Sequence, residues 1–236
     1  MTTTTTTTTD VRPAPRDESA EILIIGSGFA GLGMGAQLRR HGREDFLILD
    51  RAQQVGGTWR DNTYPGAACD VPSHLYSFSF APNPQWSGFY TPGPEIQDYL
   101  VRFSEDEGLT PHLRLGADML EAHWDPETER WTVRTPRGTY TGRWLIMGTG
   151  HLADPRLPDV PGLDAFEGEV IHSARWDHTV DLKGKRVAVV GTGASAIQVI
   201  LVMVLGFLMI PLPKSGDVRG WDEIYPLNGP AWSLFY

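Results

Sequence analysis

The sequence predicts an α/β fold in which a strand, a glycine turn and a helix occur twice, and three observations carry that prediction. The apolar, β-branched run Ile22 to Ile25 leads straight into Gly26-Ser-Gly28-Phe-Ala-Gly31. A second run, Lys185-Arg-Val-Ala-Val-Val190, leads into Gly191-Thr-Gly193-Ala-Ser-Ala196. Between them, from His112 to Trp144, short segments alternate in polarity. Strands buried on both faces read as continuous apolar runs, and half-buried antiparallel strands read as alternation. The order is therefore a parallel unit, an inserted antiparallel β-meander, and the start of a second parallel unit.

Residues 1–19 precede this. Met1 is followed by Thr2 to Thr9 and by Asp10-Val-Arg-Pro-Ala-Pro-Arg16, with neither a basic start nor an apolar run. This reads as a disordered tail rather than a signal peptide.

The first unit, placed at residues 20–154, has the pattern of a Rossmann-like, dinucleotide-binding domain. Gly26 permits the tight turn, Gly28 lets backbone approach a pyrophosphate, and Gly31 lets the helix pack against the strand. The pyrophosphate would meet free N–H groups at a helix N-terminus, where the helix dipole favours negative charge. Arg39, Arg40 and His41 occupy the helix's last turn, and Gly42 supplies the stop. A second strand, Phe46-Leu-Ile-Leu-Asp50, ends in an acid about 20 residues beyond the glycines, where a carboxylate can take a ribose hydroxyl.

Arg51 to Asp70 is dense in glycine and turn residues and has no period, so it reads as a long functional loop. Gly56-Gly57-Thr58-Trp59 could set backbone donors and an indole against a flat ligand; Trp59 could equally be ordinary core. Further on, Ile96, Tyr99, Leu100 and Phe103 share one helical face behind Pro94, which suits a first turn. His74 is most simply a local hydrogen-bonding residue. In the meander, Leu120, Ala122 and Trp124 alternate with Glu121 and His123, and Trp131 and Val133 with Thr132 and Arg134. Trp144-Leu-Ile-Met147, ending in Gly148-Thr149-Gly150, reads as a strand returning to the first sheet. Pro155, Pro158 and Pro161 mark a linker over 155–182, and the second dinucleotide unit begins over 183–198.

Composition narrows the function classes. Hydrophobic residues make up 41% of 236, enough for a buried core, and a net charge of −9 argues against nucleic acid as a partner. The one cysteine, Cys69, excludes an intrachain disulfide and reads as a packed thiol. No residues are spaced as metal ligands, so no metal is expected.

The segment between the glycine turns adds a more specific signal. Phe166, Gly168, His172, Trp176 and Asp177 match the FxGxxxHxxxW(P/D) fingerprint, and with both turns, the GGTW loop, Tyr64-Pro-Gly66 and Asp70 the chain resembles the class B flavin monooxygenases of Baeyer–Villiger type. The resemblance covers roughly Glu21 to Val199. It implies FAD at the first turn, contacted by Gly26, Gly28, Ala30, Gly31, Asp50, Gly57, Thr58, Trp59, Asp70 and Tyr76. It implies NADP at the second, contacted by Gly191, Thr192, Gly193, Ala194, Ser195, Ala196 and Ile197. It further implies NADPH-driven insertion of one oxygen of O₂ into a ketone. Two residues take catalytic roles by resemblance: Asp70 orients an arginine near the flavin, and His172 sits at a hinge between domains. A cytoplasmic protein with no membrane partner is expected.

Three departures qualify the resemblance. Ala68 stands where many members carry arginine. Residues 199–210 form a run of twelve apolar residues, too short for a spanning helix and without a polar face, and 199–236 does not match the family. Complete members are about twice as long, so the chain reads as a truncated form expected not to turn over. No arginine placed for a 2′-phosphate follows the second turn. A non-catalytic flavin-binding fragment and a related N- or S-oxygenating monooxygenase stand as alternatives.

Overall fold

The computed structural model describes residues 17–208 and 232–235. The Thr-rich start and most of the atypical C-terminal stretch lie outside the described residues. The chain divides into two compact units, one formed by residues up to Gln54 with Leu109–Gly148, the other by Val55–Gly108 with the residues from Thr149 onward.

The first unit is built on β1 (Glu18–Ile25), α1 (Phe29–Arg40), β2 (Phe46–Asp50), β3 (Leu113–Leu115), β4 (Glu121–Asp125), β5 (Arg130–Thr135) and β6 (Gly138–Met147). They form one six-stranded sheet in the order β3-β2-β1-β6-β5-β4. β3, β2, β1 and β6 run parallel, with Ile24 opposite Ile48 on one side and Ile146 on the other. β6, β5 and β4 run antiparallel. All five residues of β2 and the last four of β1 are buried, as continuous apolar runs require in a parallel sheet. One face of this sheet carries a core of Leu23, Ile25, Leu47, Leu49, Val133 and Tyr140. α1 offers the sheet a narrow face of small residues: Gly31, Leu32, Gly35 and Ala36 are buried. A Cβ at Gly35 would come within 2.8 Å of Ile48 Cδ1 and 3.2 Å of Phe46 Cε2, so the helix lies directly on β2. α1 ends as its sequence indicates. Gly42 takes φ 71°, and its N–H donates to the Arg39 carbonyl at 2.9 Å.

The meander differs from expectation in three ways. Leu113–Leu115, at its start, is a parallel strand on β2. The returning strand is not a separate element. It is the second half of β6, whose first half pairs with β5 while Tyr140 to Met147 run beside β1. Finally, β4 is not half-buried. It is the sheet edge, with Glu121 to Trp124 exposed and Leu120 61% exposed just before it. Alternation marks which face a side chain takes, but only a covering layer buries that face, and an edge strand has a neighbour on one side only.

The second unit contains α2 (Thr58–Asp61), α3 (Gly93–Asp106), β7 (Glu169–Ile171), β8 (Arg186–Val189), α4 (Ala194–Leu208) and β9 (Trp232–Phe235). β7, β9 and β8 pair in parallel in that order. α3 follows its periodicity: Ile96, Tyr99, Leu100 and Phe103 are all buried, and Pro94 lies in the first turn. The stretch 51–70 is not wholly irregular, because Thr58–Asp61 closes one helical turn. Among the described residues no helix is long and apolar enough to cross a membrane.

Candidate dinucleotide sites

In the first unit three glycines converge where β1 turns into α1. Gly26 takes φ 102°, a left-handed value that disfavours a side chain, and its N–H donates to the Leu49 carbonyl at 2.7 Å. A Cβ on Gly31 would overlap the Gly26 carbonyl oxygen and lie 2.9 Å from its carbon. Gly148, the first residue after β6, donates to the Ile25 carbonyl at 2.7 Å, and a Cβ there would stand 3.1 Å from the Gly31 nitrogen. The sequence placed the Gly148-Thr-Gly150 segment near this turn; the structure shows Gly148 to be part of its floor. α1 has Gly28 as N-cap, no side-chain cap and no acid in its first turn. Its N-terminal amides therefore face a turn whose shape and dipole suit a pyrophosphate.

Asp50 ends β2 beside this turn and is 6% exposed. Its Oδ2 accepts from both the backbone N–H and the hydroxyl of Ser27, each at 2.7 Å, and its Oδ1 accepts from the Ala52 N–H at 2.8 Å. These donors hold a buried carboxylate in one orientation, and a carboxylate suits a ribose hydroxyl while repelling a phosphate. Ser27 was not singled out by the glycine pattern. The one signal for it is a hydroxyl side chain between two glycines, meaningful only once Asp50 is known to lie against it.

In the second unit, Trp59 and Tyr76 are brought together. The indole N–H donates to the Tyr76 hydroxyl at 3.1 Å and the rings meet edge to face at 5.4 Å. Trp59 is half-buried, so neither bare exposure nor full core describes it. Gly56 takes φ 129° against Gln97, whose amide also donates to the Val55 carbonyl at 2.7 Å. The turn leading to Gly57 and Thr58 is thus held on α3. Asp70 is exposed, and its charge, added to burial as the larger cause, raises the phenols of Tyr64 and Tyr76 above their ordinary value.

The fingerprint segment is also structured. Phe166 follows a short 3-10 turn, Glu169–Ile171 forms β7, and His172 caps the next turn by accepting the Ala174 N–H on Nδ1 at 3.0 Å. Burial, then the nearby Arg175 charge, lowers the His172 pKa. The ring is therefore neutral near pH 7, and with Nδ1 accepting, its proton resides on Nε2. Asp177 accepts from the Thr179 N–H and hydroxyl, which pulls its carboxyl below the usual range. Trp176 packs against a small core of Tyr64, Ala67 and Val199.

At the second glycine turn Gly191 takes φ 126° and α4 opens at Ala194 with no acid in its first turn. Among the described residues, a Cβ on Gly193 would meet nothing within 4 Å. Ala196, where the pattern allows a third glycine, is half-buried, while Gly191 to Ala194 and Ile197 are exposed. Among the described residues no group of His, Cys, Asp or Glu side chains could hold a metal ion.

Comparison with known proteins agrees with this geometry. Residues 24–92 match a family described as an NAD(P)-binding Rossmann-like domain, and residues 82–205 match the pyridine nucleotide-disulphide oxidoreductase family. The chain belongs to this family. Within it the chain corresponds to the N-terminal part of flavin-dependent monooxygenases of Baeyer–Villiger type. A Baeyer–Villiger monooxygenase of Streptomyces coelicolor is 55% identical over 183 residues, covering 78% of this chain and 35% of the relative. A solved steroid monooxygenase bound to NADP is 40% identical with a TM-score of 0.70, covering 79% of this chain and 37% of that one. OTEMO in complex with FAD and NADP is 32% identical with a TM-score of 0.71, covering 78% and 36%. The chain thus spans about a third of the length of the relatives it matches.

Proposed function

We propose that this chain carries the FAD-binding residues and the opening NADP turn of an FAD- and NADPH-dependent monooxygenase that inserts one oxygen of O₂ into a ketone. The observation that carries the reading is the first turn: Gly26 takes a left-handed φ, a side chain on Gly31 would overlap backbone and one on Gly148 would crowd it, while Ser27 and Ala52 fix the buried Asp50 beside them. Bound there, FAD would supply the oxygen chemistry and NADPH the reducing equivalents. The chain's own work is to bind and orient. Gly26, Gly28, Ala30 and Gly31 present backbone to the FAD pyrophosphate, and the Asp50 carboxylate, oriented by Ser27 and Ala52, takes a ribose hydroxyl. Gly57, Thr58, Trp59, Asp70 and Tyr76 serve the flavin side, with Trp59 held by Tyr76. Gly191 to Ile197 receive NADP at the α4 N-terminus. His172, neutral and fixed by Ala174, supports the segment before that turn.

Because the chain spans about a third of its relatives' length, ketone oxygenation is proposed for the whole protein and cofactor binding for this chain. Titration of the purified chain with FAD, followed by quenching of free flavin fluorescence, is expected to give saturable one-to-one binding. Absence of binding at concentrations well above the micromolar range would overturn the reading. For the reaction, a ketone offered beside an amine and a sulfide is expected to give ester or lactone. Oxygenation of the amine or sulfide alone would refute the ketone assignment.

A further inference from the structure

A polar node joins the second glycine turn to the segment that precedes Asp70, entirely within the second unit. Gln198 is the one polar residue between Ala196 and Ile210, in a stretch otherwise apolar or glycine. Both ends of its amide reach that segment: Oε1 accepts from the Tyr64 hydroxyl at 2.7 Å, and Nε2 donates to the Ala68 carbonyl at 2.9 Å. The Ser195 side chain, a residue of the second turn itself, lies near enough to the Tyr64 phenol to oppose the rise that burial gives its pKa. Between these bonds the backbone lies directly on α4. Gly66 takes φ 83°, and a Cβ there would stand 3.0 Å from the Gln198 carbonyl oxygen and closer still to Val202. Tyr64, Ala67 and Val199 are buried together, with Trp176 and Val189 packed on them, and His178 Nε2 lies 3.0 Å from the Thr63 hydroxyl. Both flanks of the fingerprint's end thus close on the same node.

Tertiary support of this kind is more than packing. An amide that donates and accepts in two fixed directions sets both the rotation of α4 about its axis and the position of the 64–68 backbone, which apolar contact alone does not. Asp70 is two residues beyond Ala68, and Ser195 is three before Gln198. A ligand that orders one side of the node therefore orders the other.

We propose that Gln198, with Tyr64 as its partner, is a positioning residue that couples the two nucleotide sites, so that FAD and NADP each strengthen the binding of the other. The inference rests on the functional reading above. Whichever ligand binds first bears the cost of fixing the node, and the second finds it already fixed. By linkage the enhancement is the same in either direction.

The test is the dissociation constant of NADP⁺ measured by calorimetry on the chain with and without saturating FAD. In the unmodified protein the ratio of the two is expected to be at least about fivefold. In Gln198→Leu and in Tyr64→Phe, which keeps the ring in its cluster and removes only the hydroxyl, the ratio is expected to fall to about one. A residue with a merely structural role would weaken NADP⁺ by the same factor with and without FAD and leave the ratio unchanged, and that result would overturn the proposal. If Gln198→Leu does not fold, Tyr64→Phe alone decides. Binding of both ligands to the unmodified chain with a ratio of one refutes the coupling and leaves the functional reading standing. Binding of neither refutes both.

Discussion

Replacing Gly31 with alanine is the sharpest perturbation of the first site. The new Cβ would overlap the Gly26 carbonyl oxygen and lie 2.9 Å from the carbonyl carbon and 3.5 Å from Ile24 Cγ2. The offending atoms are backbone, so no side chain can swing away, and relief requires α1 to move off β1 by on the order of 1 Å. Overpacking of this type costs roughly 1–3 kcal/mol, which lowers the melting temperature of a chain this size by about 2–12 °C. The same shift moves the α1 amides relative to the turn, and FAD binding should weaken by at least about tenfold. Two further glycines calibrate the effect. At Gly148 the Cβ meets the Gly31 nitrogen and the Ile25 oxygen at 3.1 Å, a milder conflict, while at Gly193 it meets nothing within 4 Å among the described residues. The melting temperature should therefore fall in the order Gly31→Ala, Gly148→Ala, Gly193→Ala, with the last indistinguishable from the parent. Gly193→Ala should weaken NADP⁺ alone, through the ligand's own space. Thermal denaturation by circular dichroism, with flavin fluorescence titration on the same samples, checks the series. A Gly31→Ala protein that melts within about 1 °C of the parent and binds FAD within twofold would refute the close-approach reasoning.

Other outcomes follow from the same geometry. Ser27→Ala removes a 2.7 Å hydrogen bond to a buried carboxylate, and should cost about 1.5–3 kcal/mol of stability and loosen FAD; Ser27→Thr, which keeps the hydroxyl, should recover part of both in the same titration. Tyr76→Phe leaves the Trp59 indole N–H without the hydroxyl it donates to, and should broaden or shift Trp59 fluorescence and weaken FAD without changing NADP⁺ affinity measured alone. Glu95 accepts from the Ser87 N–H, the Ser87 hydroxyl and the Thr91 hydroxyl, which hold its carboxyl below the usual value. A lowered folded pKa gives stability that is fully present above the unfolded value of about 4.3 and lost as pH falls through the folded value. Glu95→Gln should flatten that acid limb of a melting-temperature profile; an unchanged limb would show that these bonds do not contribute.

Much of the site was legible because it is local. Gly26 to Gly31 and Gly191 to Ala196 announce turns through residues whose backbone needs are met within six positions, and the helical face of Ile96, Tyr99, Leu100 and Phe103 is set by periodicity alone. The burial of β4 was not legible. Its alternation is real, yet Leu120 and Trp124 are exposed because the strand lies at an edge, and no residue of β4 records what lies beyond it.

By itself, then, the sequence determined the α/β order, both glycine turns, the acid at Asp50 and the fingerprint from Phe166 to Asp177, all of them patterns within a short span of chain. The tertiary structure alone decided that Ser27 grips Asp50 across 23 positions, that Gly148 shares the floor of the first turn, and that Gln198 reaches Tyr64 across 134. Such contacts depend on where distant segments come to lie, and a serine or a glutamine carries no mark of its partner until the fold sets the two side by side.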